Sequence, residues 1–400
     1  MKKNFYKKVL KNGMTILFEK RDLPVVSVAF AVKQGGINED PSEKGISHFI
    51  EHMMYKGTPT RNNKQIAHDI EKNGGKLNGF TDEAVTAYWC KMPSKHLNLA
   101  LEVMGDMIQN PLFDKKEIEK ERQVIFEEIK MRRDTPQIHV SDEIQSCLYS
   151  GTIGLSLIGT EETMKKIGQK ELRSKFKKTY APNNIILCVV GDADFNEIVK
   201  FAEKNFSNEQ AEVIKPKIKL QNKSKVETRK GIDQANMILA YHAPLAHDKK
   251  VYASQILNTI LASGMSSRLF EEIREKRNLA YAILGDSNIN KNYSYNLIYV
   301  GTTKENVDQV KELILKEFEK VSKELTEQEL DSAKEQLIGH HQISMENSNT
   351  QIMHLLFSEL NGNAEEFYDF EKNISKVKLE DVKNLAKLKD YSFFALIPEA

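Results

Sequence analysis

Short apolar runs rich in β-branched and aromatic residues alternate along this chain with longer stretches in which apolar residues return every three or four positions. Met14-Thr-Ile-Leu-Phe and Val25-Val-Ser-Val-Ala-Phe-Ala-Val predict two strands separated by Leu23-Pro24. Gly35-Gly36 ends the second, and after a polar loop a helix opens near Gly45. A further helix is predicted over Thr60 to Asn73, stopped by Gly74-Gly75. Lys76 to Met92 reads as two strands around a turn at Asp82-Glu83. Helical periodicity then covers His96 to Ile108 and Lys115 to Arg132, followed by a segment from Gln137 to Tyr149. The unbroken apolar run Ile185-Ile-Leu-Cys-Val-Val is a buried strand, and Phe195 to Asn205 is a helix.

From Ser207 to Lys225 periodicity fades into Lys, Gln and Asn, as expected of an interdomain linker. The order then starts again, with a strand at Met237 to Tyr241, a helix at Tyr252 to Ala262, a strand at Tyr293 to Val300 and a helix at Asn306 to Glu324. Leu325 to His341 parallels Phe113 to Ile129 at an offset of 212 residues. Such self-similarity implies two copies of one domain. The expected division is 1–206, a linker at 207–225, and 226–400.

Composition narrows this only slightly. With 400 residues, 40% hydrophobic and 29% charged, the chain has the make-up of a soluble globular protein too long for one ordinary core. A formal net charge of +1 gives no global attraction to nucleic acid or an anionic membrane. No stretch approaches the length of a membrane span, and no apolar run follows the basic N-terminus. Cys90, Cys147 and Cys188 are odd in number and far apart, which excludes a disulfide framework and points to a reduced, cytoplasmic setting.

Candidate chemistry is concentrated in Gly45-Ile-Ser-His-Phe-Ile-Glu-His-Met-Met-Tyr. His48 and His52 stand four apart, so a helix stacks them on one face, and Glu51 shares that face. Two imidazoles with a carboxylate between them can hold a zinc ion and accept a proton from the water it polarises. Phe49, Ile50, Met53 and Met54 read as core. A catalytic zinc site usually has a third protein ligand, and the helix Glu117 to Met131 offers acids, with Glu121 and Glu128 two turns apart on one face.

The His-Phe-Ile-Glu-His helix, the Lys56-Gly-Thr after it and the Glu-Arg-Gln-Val-Ile-Phe-Glu-Glu-Ile helix resemble the pitrilysin, insulinase and mitochondrial-processing-peptidase metallopeptidases, whose inverted motif defines the inverzincins. Among these, the bacterial processing-peptidase-like members are the most similar. The resemblance implies a third ligand about 76 residues past the second histidine, which selects Glu128 over its neighbour Glu127. Glu121 then matches a supporting acid that orients a ligand from behind. It also implies that the segment around Asn78, Gly79 and Phe80 is a sheet edge to which substrate pairs as an added strand; alone, Asn78-Gly79 reads equally well as a turn.

Gly264 to Tyr281 resembles the family's C-terminal signature, which carries over as Arg274 and Tyr281, groups that hold a substrate carbonyl and its oxyanion. Read without the family, Arg274 would pair with Glu271 or Glu275 on an exposed helix while Tyr281 packs. Asn278 stands where the family usually has Gly. At the offset of the repeat, His48, Glu51, His52 and Glu128 face Ile260, Ser263, Gly264 and His340, so the second copy lacks the chemistry. His340 and His341 are left in no ligand spacing.

The resemblance thus implies an α+β fold of two homologous domains, each a mostly antiparallel sheet with helices packed on one face. It implies a zinc metalloendopeptidase with one zinc per chain on His48, His52 and Glu128, and Glu51 as base. It further implies a homodimer in which Arg274 and Tyr281 of one chain serve the zinc of the other, closing like a clamshell on peptides or unfolded segments. A non-catalytic peptide-binding or scaffold subunit of the same family is the alternative.

Overall fold

The computed structural model describes residues 4–212 and 214–399. Met1 to Lys3, Val213 and Ala400 lie outside these, and with them the start of the basic N-terminal run and one position of the expected linker. In chain order come β1 (Phe5–Val9), β2 (Thr15–Lys20), β3 (Val25–Val32), α1 (Ile46–Met53), α2 (Asn63–Glu71), β4 (Lys76–Thr81), β5 (Thr86–Pro93), α3 (Leu97–Gln109), α4 (Lys115–Asp134) and α5 (Pro136–Leu148). The middle of the chain forms β6 (Tyr149–Ser150), α6 (Glu161–Lys166), α7 (Gln169–Thr179), β7 (Ile185–Gly191), α8 (Phe195–Asn205), β8 (Lys219–Leu220), β9 (Ser224–Arg229), β10 (Ala235–His242) and α9 (Val251–Ala262). Then follow β11 (Ala280–Ile289), β12 (Ser294–Thr302), α10 (Val307–Glu324), α11 (Glu327–Ser344), α12 (Ser348–Asn361), α13 (Phe370–Ser375), α14 (Leu379–Leu385) and β13 (Ser392–Pro398).

These elements form two compact units. The first comprises Met1–Lys130, Leu155–Lys217 and Ser344–Tyr368; the second comprises Met131–Gly154, Ile218–Ile343 and Asp369–Ala400. The first holds a six-stranded sheet in the order β1-β2-β7-β3-β5-β4, antiparallel except for β2 against β7. The second holds a five-stranded sheet, β11-β12-β10-β13-β9, antiparallel except for β13 against β9. The single parallel pair occupies the same place in both, which makes the repeat visible as topology. The fold is α+β with two homologous domains, as expected.

Helices cover both faces of each sheet. In the first unit, α1 and α3 pack on one face, and α12 lies across β7 and β3 on the other. This double cover is why β7 is buried at every position and reads as an unbroken apolar run. In the second unit, α9 packs on β11 and β12 while α5 lies on β13 and β10. At an offset of 212 residues, α4 and α5 fall on α11 and α12. Each repeat therefore lends one helix to the sheet of the other: α5 counts in the second unit and α12 in the first. Polar ties fix α12 in place. Buried Glu19 accepts from Gln351 at 2.7 Å and from Tyr368, Arg21 donates to the Met345 carbonyl at 2.6 Å, and the Ser27 and Ser348 hydroxyls meet at 2.9 Å.

A buried charge cluster lies under the start of α1. Glu39 accepts from the backbone N–H groups of Gly45 at 3.0 Å and Ser47 at 2.7 Å, satisfying donors that a helix start leaves orphaned. The Lys44 ammonium is 3.7 Å from Glu39 and 3.6 Å from Glu83 in the turn between β4 and β5, so one cation serves two acids. Burial pushes the Glu83 carboxyl up to about 8, and it moves Glu39 upward as well. The native state therefore binds more protons than the unfolded chain between the ordinary carboxylate range and pH 8, and stability falls as pH rises through that window. Chelator-treated protein is expected to lose on the order of a few kcal/mol of stability from pH 5 to 8. Glu83→Gln should flatten the slope in denaturant melts, and a wild type equally stable at both pH values would contradict this.

The three cysteines are free and buried, with the Cys90 thiol pushed up to about 12 by burial. Among the described residues, no helix is long and apolar enough to cross a membrane.

Candidate metal centre

Helix α1 buries Ile46, Phe49, Ile50 and Met53 in the first unit's core, which turns His48, Glu51 and His52 to its opposite side. It opens at Gly45, where φ is 93° and a Cβ would meet the Ile158 carbonyl oxygen at 2.7 Å, so glycine is needed on both counts. Helix α4 is held against α1 by Arg122. Its guanidinium lies over the Phe49 ring at 5.5 Å and donates to the carbonyls of Met164 and, at 2.9 Å, Ile167.

These two helices bring three donors together. His48 Nε2 and His52 Nε2 are 3.2 Å apart, and Glu128 Oε2 lies 3.5 Å from the first and 3.6 Å from the second. Among the described residues, this is the one group of three such side chains whose donor atoms converge. A tetrahedral zinc ion with bonds of about 2.0–2.1 Å holds its donors roughly 3.3–3.5 Å apart, so the set fits the metal. Glu127, the neighbour in sequence, points away and pairs with Lys130 at 2.7 Å.

Around the donors, the other groups set orientation and charge. Glu121 Oε2 is 3.2 Å from His52 Nδ1, which fixes the ring so that Nε2 faces the centre, and Glu121 Oε1 is 2.5 Å from the Lys56 ammonium. Burial alone would lower the His52 pKa, but Glu121 and Glu128 outweigh it and hold it up at about 9. A field that favours a proton on this imidazole also favours a cation beside it. Glu121 itself, despite burial, is held below the usual carboxylate range by His52 and Lys56. Glu51 moves the other way: burial and nearby Glu128 raise it, against the pull of His52 and of the Thr81 hydroxyl that donates to its Oε2 at 3.2 Å.

Strand β4, the outermost of its sheet, passes beside Glu51. Strand alternation turns Gly79 and Thr81 toward α1 and places the Phe80 ring on the far face, stacked on Phe357 of α12 at 6.2 Å. Asn78 is exposed and its Oδ1 accepts from the Gly79 N–H at 2.8 Å. Asn78 and Gly79 lie within a strand, not a turn.

Arg274 and Tyr281 belong to the second unit. Arg274 sits in a π-helical turn, Phe270–Glu275, with its guanidinium over the Phe270 ring at 4.8 Å and Nε 4.0 Å from Glu275. Tyr281 opens β11 half exposed, its hydroxyl 3.4 Å from that of Tyr299. Between them Asn278 has φ 51°, the left-handed region in which Asn is the best-tolerated substitute for Gly. In the second unit, Ile260 is buried and His340 exposed at the positions that match His48 and Glu128. Sequence reasoning gave no individual role to Thr81, Lys56, Arg122, Glu39 or Tyr55, although Lys56 belongs to the motif that carries the resemblance. Helical spacing flags Lys56, one turn after His52, and Tyr55, one turn after Glu51.

Among the described residues, then, this doubled α+β chain carries convergent His, His and Glu donors in its first copy only, the donor set of a metal centre with an acid alongside. Comparison with known proteins sharpens this. The family model described as "Insulinase (Peptidase family M16)" matches residues 15–161, and "Peptidase M16 inactive domain" matches residues 166–337. The chain is 30% identical to "Uncharacterized zinc protease YmxG" of Bacillus subtilis over 399 residues, 97% of each protein. It is 34% identical over 347 residues to an "Uncharacterized zinc protease" of Rickettsia felis, covering 84% of this chain and 83% of that one. Its fold matches the crystal structure of a protease from Helicobacter pylori with a TM-score of 0.91 at 23% identity, covering 98% of this chain and 99% of that one. A "peptidase M16 inactive domain" structure from Pseudomonas fluorescens follows with a TM-score of 0.89 at 20% identity, covering 99% and 98%. The chain belongs to the M16 peptidase family, the pitrilysin and insulinase type.

Proposed function

We propose that this chain is a zinc-dependent endopeptidase that hydrolyses peptides or unfolded segments within an enclosed, clamshell-like chamber. The observation that carries the reading is the convergence of His48, His52 and Glu128 with the Glu51 carboxylate beside them. A zinc ion held by the three donors supplies Lewis acidity that polarises a peptide carbonyl and makes water more acidic. Glu51 takes the proton of the attacking water and passes it to the leaving amine. Glu121 keeps His52 in the tautomer whose Nε2 is free to ligate. The unpaired outer edge of β4, around Asn78, Gly79 and Phe80, binds substrate by strand addition, with main-chain hydrogen bonds giving affinity and side chains only preference.

Arg274 and Tyr281 hold the substrate carbonyl and its oxyanion, and they do so across a homodimer, each chain completing the other's site. Their exposure in the second unit of a chain whose first unit carries the metal donors supports this. The three free cysteines suit a reduced, cytoplasmic location. Retention of all three donors and of Glu51 speaks against a non-catalytic subunit.

A quenched fluorescent peptide tests the activity: a chelator should abolish its hydrolysis and zinc restore it. Mixing Glu51→Gln chains with Arg274→Ala chains tests the sharing. Half of the dimers are then mixed and each has one intact site, so about a quarter of wild-type turnover should return. No recovery would rule out sites completed across chains.

A further inference from the structure

Tyr55 stands four residues after Glu51, in the turn that follows α1. Its ring is half-buried against Tyr88, with centroids 6.2 Å apart. Tyr88 and Tyr180 share a hydrogen bond between their hydroxyls at 2.8 Å. The Tyr55 hydroxyl, equally hidden from solvent, has no hydrogen-bond partner among the described residues. A buried hydroxyl without a partner is destabilising, and phenylalanine would fill the same space without that penalty. What the hydroxyl faces explains its presence. A Cβ added to Gly79 would collide with Tyr55 Oη and lie 3.3 Å from Glu51 Oε1. Both oxygens thus border the bare face of Gly79, close enough together for a single water to bridge them. The same Cβ would come within 2.9 Å of the Ala87 carbonyl oxygen, so Tyr55 Oη reaches this place only because residue 79 has no side chain.

We propose that Tyr55 is a positioning residue for Glu51: through one ordered water its hydroxyl holds Oε1, while Thr81 holds Oε2, so the carboxylate is gripped from both sides. The inference rests on the peptidase reading, because only a base that must meet an attacking water needs its two oxygens fixed separately. Gly79 has a second role beside strand pairing, since it makes room for the bridge. The bridge needs no group outside the first unit.

The test uses the zinc-loaded full chain and its Tyr55→Phe variant. Tyr55→Phe is expected to lower kcat about tenfold, the worth of one lost hydrogen bond, with KM, zinc content and melting temperature unchanged. A purely structural hydroxyl would instead leave kcat alone. High-resolution crystal structures of both proteins give a readout independent of turnover. Wild type should show a water within hydrogen-bond distance of Tyr55 Oη and Glu51 Oε1, and the variant should lose it. An unchanged kcat, or wild-type density with no water between the two oxygens, overturns the proposal. A wild type that binds zinc but cleaves no peptide would overturn the peptidase reading instead, and the crystallographic comparison would still decide whether the bridge exists.

Discussion

Glu51→Gln is expected to leave zinc binding and folding intact and to lower kcat by about 10²–10⁴-fold. The substitution is nearly isosteric, and the amide oxygen can still accept from the Thr81 hydroxyl that now lies 3.2 Å from Oε2. Only the ability to take a proton is lost. Glu51 is not among the three donors, so zinc content measured by elemental analysis should match wild type. The pH profile gives a second handle. Without metal, burial and Glu128 raise the Glu51 carboxyl, a bound zinc ion would pull it back down, and a base works only when deprotonated, so kcat/KM should show an acid limb set by Glu51. Activity falls as pH drops through that limb, and in Glu51→Gln the limb should vanish from the residual rate. Unchanged turnover in this variant would remove Glu51 as the base.

How far this could be read from the chain alone depended on whether the information was local. The i, i+4 spacing of His48 and His52 is local, and so is the acidic helix α4, and both elements form where periodicity put them. Choosing Glu128 over Glu127 took the 76-residue register of a family resemblance. The physical reason is that α4 turns Glu128 toward α1 and Glu127 to solvent, where Lys130 meets it. The exchange of α5 and α12 left no trace in the pattern, because an amphipathic stripe states that a helix packs without stating on which sheet. Strand β9 was hidden for a different reason: it is an edge strand of mostly exposed polar residues, so it blended with the linker composition before it. Thr81 carries no signal in the sequence and Tyr55 only its helical spacing from Glu51; what either one touches is set once β4 folds beside α1.

The matching region of the C-terminal half shows the same scaffold without the donors. Arg268, 212 residues after Lys56, no longer backs an acid that orients a histidine; it forms a two-pronged pair with Glu329 at 2.9 Å for each bond. The position that matches Glu121 is the buried Ala333. The second copy thus lacks both the donors and the acid behind them, as expected if Glu121 serves His52 in the first copy.

Removing a donor should have the other large effect. Glu128→Gln is expected to abolish stable zinc occupancy after dialysis and bring turnover to background, whereas Glu127→Gln should keep both. A neutral amide oxygen is a poorer zinc ligand than a carboxylate, and it removes the one negative charge that stands 3.5 Å and 3.6 Å from the two imidazole nitrogens. Two histidines alone then hold the ion. Glu127 contributes nothing to that field at short range, since its carboxylate is paired with Lys130 on the outer face of α4. Glu121→Gln should fall between the two, with zinc affinity down about 10–100-fold, because it loosens His52 without removing a ligand. Elemental analysis of the three variants after equal dialysis orders them. Full occupancy in Glu128→Gln would mean that the convergent donors do not form the metal centre, and the reading of this chain as a zinc peptidase would fail with it.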